Sequence, residues 1–306
     1  MNPRNILFNP ETRILRAGWR IPWLLLWVAP ASIALQGLSR WIKPHLAPDL
    51  LGPWKGLMAL VFISAMLGIY RLFAHTVEHR TPVELRLDRD TPWHVGLGFL
   101  LGGGVMLLIV GIFAVTGCYR VETWNSLWLI PRAVVFYLPQ TFIEDFLFGL
   151  ILYRLVRAGL GWKVALILVP LLFSLAHMGN GHESALGLIE IVTGGLLMYS
   201  AMERTGRFWT LWALHFSWNF SMNGIFGLAN SGQDLPGLIK PLVSGPVWLT
   251  GGATGPEASV LAIGFDLLLL FLLWKLPARL LRSRSLDEAE SSARPQGVLV
   301  EASVTT

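Results

Sequence analysis

Charge is what this chain has least of. Only 14% of its 306 residues are charged, against about 25% in ordinary soluble domains. With 54% hydrophobic residues and a mean hydropathy of +0.56, that shortage excludes a water-solvated globule and reads as a polytopic membrane protein. Cysteine is nearly absent too. Cys118 is the single one, which excludes an internal disulfide and any cysteine-built metal cluster. No basic stripe interleaved with aromatics occurs outside the membrane flanks, so the net charge of +5 is no nucleic-acid footprint and no nucleic-acid partner is expected. No internal repeat or inverted half is visible, which argues against a transporter built from such halves. Tryptophan, by contrast, is plentiful: 14 residues suit a chain with many water–lipid interfaces.

The apolar stretches predict an all-α transmembrane bundle of about eight spans, each of about 20 residues. They fall near 21–39, 54–74, 92–117, 126–153, 164–179, 185–202, 208–228 and 258–277. Residues 1–20, with Arg4, Arg13, Arg16 and Arg20, read as a cytoplasmic or interfacial segment. Residues 21–280 form one transmembrane domain, and the Ser-, Ala- and Glu-rich stretch 281–306 reads as a disordered cytoplasmic tail. The first span is too long for the apolar part of a signal peptide and keeps its arginine flank, so no cleavage is expected. Most Lys and Arg lie on one set of flanks, while the opposite set holds only Arg40, Lys43, Lys55, Arg120 and Lys240. That asymmetry predicts both termini in the cytoplasm and a multi-pass protein of the cell (inner or plasma) membrane. The fourth stretch is long, and Pro131 and Pro139 can break or tilt it ahead of an acidic pair, either to open a cavity or simply to kink a packing helix.

Against this apolar background three polar fragments stand out: Glu144-Asp145, Phe173-Ser-Leu-Ala-His177 and His215-Phe-Ser-Trp-Asn219. A charged side chain at membrane depth costs roughly 2.5–3.5 kcal/mol on insertion scales, so such residues need a function or a partner. By the helical rise, Glu144 lies about 14 Å from Tyr153, His177 about 21 Å from Lys163, His215 about 10 Å and Asn219 about 16 Å from Phe208. Three helices thus bring polar groups to one slab around mid-membrane.

His215 and Asn219, four apart, share a helix face and can aim an imidazole N–H and an amide N–H at one point, as an oxyanion hole requires. The same spacing also suits a pair that glues helices together. Phe173 shares a face with His177 and can wall a pocket. Glu144 in a low-dielectric site can serve as general base toward water, with His177 positioning that water. Asp145 can point elsewhere, since neighbours on a helix stand about 100° apart. Glu144, His177 and His215 are also a donor set familiar for zinc, although no H-E-x-x-H helix is present. Glu190 and Asp266, inside other spans, read as structural or cavity-lining, and His182 and Glu183 as solvated loop residues.

These fragments resemble the motifs of the CAAX prenyl protease and bacteriocin-processing (CPBP, or Abi) family of intramembrane proteases: E-E-x-x-x-R, F-x-x-x-H and H-x-x-x-N, in that order. Arg16-Ala-Gly18-Trp19-Arg20, Gly194-Gly195 and Glu203-Arg204-Thr205-Gly206 are similar to family stretches as well, and the likeness is best over 140–222. It implies a glutamate-dependent intramembrane endopeptidase, often labelled a metalloprotease, with its site open toward the cytoplasm. By position, Glu144 and His177 would activate water, His215 and Asn219 would form the oxyanion hole, and Asp145 and Phe173 would support them. No cofactor is required in that scheme, although a divalent metal such as zinc is compatible with it. The implied substrate is a membrane-embedded or lipidated, possibly prenylated, peptide or protein. Two positions depart from the pattern: Asp145 replaces the second glutamate, and Gly149 stands where the motif has arginine. The departures motivate an alternative, a weak or inactive relative acting as a membrane scaffold or bacteriocin-immunity-type protein. A third reading, an ion pathway through the acidic pair, Glu190 and Asp266, requires one continuous aqueous path.

Overall fold

The computed structural model describes residues 7–9, 15–182, 184–233 and 235–282. The tail expected at 281–306 therefore lies outside the described residues except for Leu281 and Arg282, and so do Glu183 and most of the polar start.

Long apolar runs without interior polar breaks make the helices. They are α1 (Ala17–Ile42), α2 (Leu51–Thr76), α3 (Thr91–Val115), α4 (Leu129–Asp145), α5 (Arg154–Leu160), α6 (Trp162–His177), α7 (Ala185–Thr205), α8 (Phe208–Asn219) and α9 (Val260–Lys275). Five helical stretches are long and apolar enough to cross a membrane: Ala17–His45, Pro48–Thr76, Thr91–Val115, Leu129–Leu160 and Ala185–Thr205. Trp162–His177 is a shorter apolar helix. Large apolar side chains point outward all round, among them Ile33, Leu57, Leu100, Ile167 and Phe271, as a lipid-facing surface requires.

The fourth stretch does not break at its prolines. Helix continues from Leu129 to Leu160, with Pro139 inside α4. It widens about two turns after Pro139 instead: Phe146–Tyr153 is a π-helix, immediately after the acidic pair. Such wide turns mark functional sites more often than ordinary helix does. A second π-helix, Phe220–Ile225, directly follows Asn219.

The expectation of an all-α chain needs one correction. Tyr119–Trp124 (β1) and Ile239–Val243 (β2) pair antiparallel at one end of the bundle. Both are rich in β-branched and aromatic residues, and Lys240 meets Glu122 across the pair at 2.8 Å. Their shortness hid them between longer apolar runs.

Glycine sets the approach of the helices that carry the polar fragments. A Cβ on Gly102 would fall 2.1 Å from the Leu214 carbonyl oxygen, and one on Gly98 would fall 2.6 Å from that of Thr210. Only hydrogen fits there, so α3 and α8 meet backbone to backbone. Gly161, at φ 86°, makes the one-residue turn that folds α6 back against α5.

An ion-pair cluster ties α1, α2 and α5 together at the arginine-rich end. Buried Glu78 meets Arg80 at 2.7 Å, Arg154 at 2.9 Å and Arg20 at 3.4 Å, while Glu84 takes Arg80 at 2.8 Å and the Tyr70 hydroxyl. Burial pushes the Glu84 carboxyl up, but the hydrogen bond and charge of Arg80 outweigh it and hold the group below its ordinary 4.5. A depressed carboxylate contributes stability above its unfolded value and loses it as pH falls through the folded one. Thermal stability should therefore hold from neutral pH to about 5 and drop below about 4. Glu84→Gln should lower the midpoint at pH 7 and flatten that acid limb. Glu78→Gln, which leaves three guanidinium groups short of their shared carboxylate, should cost about 3 kcal/mol. A thermal melt as steep in acid for Glu84→Gln as for wild type would refute the assignment.

Candidate active site

The polar fragments meet in one cavity of about 210 Å³. Glu144, Phe173, His177, His215 and Asn219 all contribute to its wall. The arrangement follows from three local facts. Helical spacing puts His215 and Asn219 on the same side of α8, the α3 glycines let α8 sit deep in the bundle, and α6 crosses α7 closely enough that a Cβ on Gly195 would lie 3.0 Å from Pro170.

His215 is the hub. Its Nδ1 lies 3.0 Å from Asp145 Oδ1, its Nε2 3.6 Å from Glu144 Oε2 and 3.3 Å from Asn219 Nδ2. A carboxylate only accepts, so Nδ1 carries the proton and Nε2 is turned to the cavity. Asp145 is thus not directed elsewhere: it is buried and orients the imidazole. The ring is further fixed by Phe173, whose centroid lies 6.1 Å from that of His215 and 4.5 Å from that of His177. His177 closes α6. Its Nδ1 lies 2.8 Å from the Phe173 carbonyl oxygen, a contact that only an N–H can make, so its Nε2 keeps a lone pair.

Several residues join that the sequence did not single out. Gln140, one turn before Glu144, donates to Glu144 Oε1 at 3.4 Å. Its i−4 position was a readable signal. Glu257 and Asn230 come from a region remote in sequence, and nothing in their local pattern announces them. Glu190 and Asp266, which the sequence did single out as structural or cavity-lining, line the same cavity, and Thr193 donates to Asp266 Oδ2 at 3.0 Å. His182 does not line the cavity; its carbonyl oxygen accepts from Thr254 at 2.6 Å.

Gly149 stands in the buried wall of the π-helix, where a Cβ would already touch Leu211 at 3.5 Å. Among the described residues no cation takes the place of the motif arginine. Arg154 is held by Glu78, Arg132 is exposed and lines a different cavity, and Asp145 Oδ2 has no hydrogen-bond partner among the described residues.

The donor set does not make a metal centre. A zinc site needs three or four converging donors, and among the described residues no group of three His, Cys, Asp or Glu side chains is placed to hold an ion.

The cavity is closed at one end. Toward the arginine-rich flank lies the largest apolar cluster, with Leu150, Tyr153, Tyr199, Phe208 and Leu211 fully packed. At the other end the lining is polar: Asn180, Asn230, Ser231 and Gln233, on segments that follow α6 and α8. This is the opposite end from the cytoplasmic opening that the resemblance implies if the arginine-rich flanks are cytoplasmic. Among the described residues, that packed cluster interrupts the polar lining an ion pathway would need.

Residues 124–221 match the family model described as type II CAAX prenyl endopeptidase Rce1-like. The match spans the acidic pair and both histidine motifs and bears out the resemblance read from them. No curated protein and no solved structure matches the chain.

Proposed function

We propose, from the protease-family match and the hub at His215, that this chain is an intramembrane endopeptidase of the CAAX prenyl protease-like type, hydrolysing a peptide bond in a membrane-associated substrate. The observation that carries the reading is one imidazole held between Asp145, Glu144 and Asn219 at 3.0, 3.6 and 3.3 Å.

The chemistry follows from the donors and acceptors. Glu144, half-buried and steadied by Gln140, accepts a proton from the attacking water and returns it to the leaving amine. His177 offers its Nε2 lone pair to that water and orients it. As the carbonyl becomes tetrahedral its oxygen gains negative charge. The Asn219 amide faces that oxygen, and a proton on Nε2 makes His215 the second donor. Asp145 acts through His215: it holds the ring by Nδ1 so that the working nitrogen faces the substrate. No step needs a metal.

The bundle is read with eight spans and both termini in the cytoplasm, in the cell membrane. On that reading the polar rim faces away from the cytoplasm, and the scissile peptide enters from that side. A second reading, a family member kept as a membrane scaffold, rests on Gly149 and the unpaired Asp145 Oδ2.

The test is direct. Purified protein in proteoliposomes is incubated with membrane-anchored peptides, with and without a prenyl cysteine, and new termini are read by mass spectrometry. Products that vanish with Glu144→Gln are expected. A product set indifferent to that substitution, or none at all, would favour the scaffold.

A further inference from the structure

A second cavity lies outside the site. It is a groove of about 960 Å³ between the first turns of α2 and α4, floored by Met58, Ala59, Val135, Phe136 and Pro139. That volume is at the upper end of the range for small-ligand sites, and its floor is hydrocarbon. Its mouth is different. Lys55 and Arg132 stand at the groove itself, and Lys55 also borders an adjoining hollow with Arg40 and Lys43. All four side chains are exposed, and none has an acidic partner among the described residues.

The concentration is unusual for this end of the molecule. The flanks opposite the arginine-rich end carry few cations, and Lys240, one of them, is neutralised by Glu122. Three of the others gather at one mouth beside Arg132. Trp41 and Trp128, 70% and 81% exposed, stand at the same end, where indole rings mark the headgroup level of a bilayer. Trp54 Nε1 donates to Ser39 Oγ at 3.2 Å and pins α1 to α2 there, so the mouth is built rather than splayed.

We propose that this groove is a binding site for an anionic phospholipid, its acyl chains along the apolar floor and its phosphate between Lys55 and Arg132, with Arg40 and Lys43 reaching the remainder of the headgroup. Charge chooses the occupant. A zwitterionic lipid brings the same phosphate but adds an ammonium that a cluster of four cations repels, and an uncharged isoprenoid would fill the floor but leave the four cations without a counterpart. The site is independent of the hydrolytic reading, since none of the four cations lines the catalytic cavity.

The experiment uses the full chain in detergent, with phosphatidylglycerol and phosphatidylcholine of identical acyl chains, and native mass spectrometry to count retained lipid. Wild type should retain phosphatidylglycerol over phosphatidylcholine by about tenfold or more. Lys55→Gln with Arg132→Gln should erase most of that preference, by roughly fivefold per cation removed. Gly56→Leu, whose side chain would enter the groove beside Val135, should lower retention of both lipids while leaving the charge at the mouth. Equal retention of the two lipids by wild type would overturn the proposal, even if the double variant does not fold. Geranylgeraniol retained as firmly as phosphatidylglycerol would overturn it as well, by making the groove an isoprenoid site.

Discussion

Replacing Glu144 with glutamine is expected to lower kcat for peptide cleavage by about 10²–10⁴-fold with little change in KM. Glutamine keeps the size of the side chain and an oxygen for the Gln140 amide, which donates at 3.4 Å in the native protein. What it removes is the basic oxygen that takes the proton of water. The fold should be indifferent, because Glu144 is only half-buried and its contact with His215 Nε2 is a long one, at 3.6 Å. His177→Ala, which removes the lone pair that orients the water, should reduce cleavage in the same direction. Full activity in both variants, measured on the same peptide at saturating concentration, would end the hydrolytic reading.

Asp145→Asn should cost a further large factor by a different route, on the order of 10²–10⁴ in kcat, as for a carboxylate that orients a catalytic imidazole. The neutral amide cannot offset a charged ring, so His215 can no longer hold a proton on Nδ1 and donate another from Nε2 to the oxyanion. The contact broken is the 3.0 Å bond to His215 Nδ1, so the effect runs through the ring rather than through the substrate. Two readouts separate this positioning role from simple damage to the core. The pH–rate profile of the residual activity should lose the limb set by His215, and Asp145→Glu, which restores the charge that the family motif carries, should recover most of the rate. A variant with an unchanged pH profile and a loss of rate matched by a loss of thermal stability would make Asp145 structural. This pair of tests also bears on Gly149: with no arginine there, the Asp145 carboxylate is ion-paired, among the described residues, with His215 alone, and its function depends on one bond.

Gly98 and Gly102 show how the site depends on packing. Spacing alone puts His215 and Asn219 on one face of α8, but the depth of that face in the bundle is set by a backbone approach that tolerates no Cβ. The π-helix shows the reverse limit. Prolines in the fourth stretch allowed either a break or a kinked packing helix; helix persists through Pro139 and widens only after Asp145, because the neighbours that fill a wide turn are not encoded in the turn's own residues.

By itself the sequence determined the membrane class, the order of the three polar motifs and the shared face of His215 and Asn219. Those are properties of one element at a time: hydrocarbon content decides the solvent, and the helical repeat decides which residues align. The tertiary structure alone decided that Asp145 turns to His215, that Gln140, Glu257 and Asn230 join the cavity, that two short strands pair, and that the polar rim lies away from the arginine-rich end. Each of these depends on the rotation of one helix against another. That rotation is fixed by packing between segments far apart in the chain, where local periodicity carries no information.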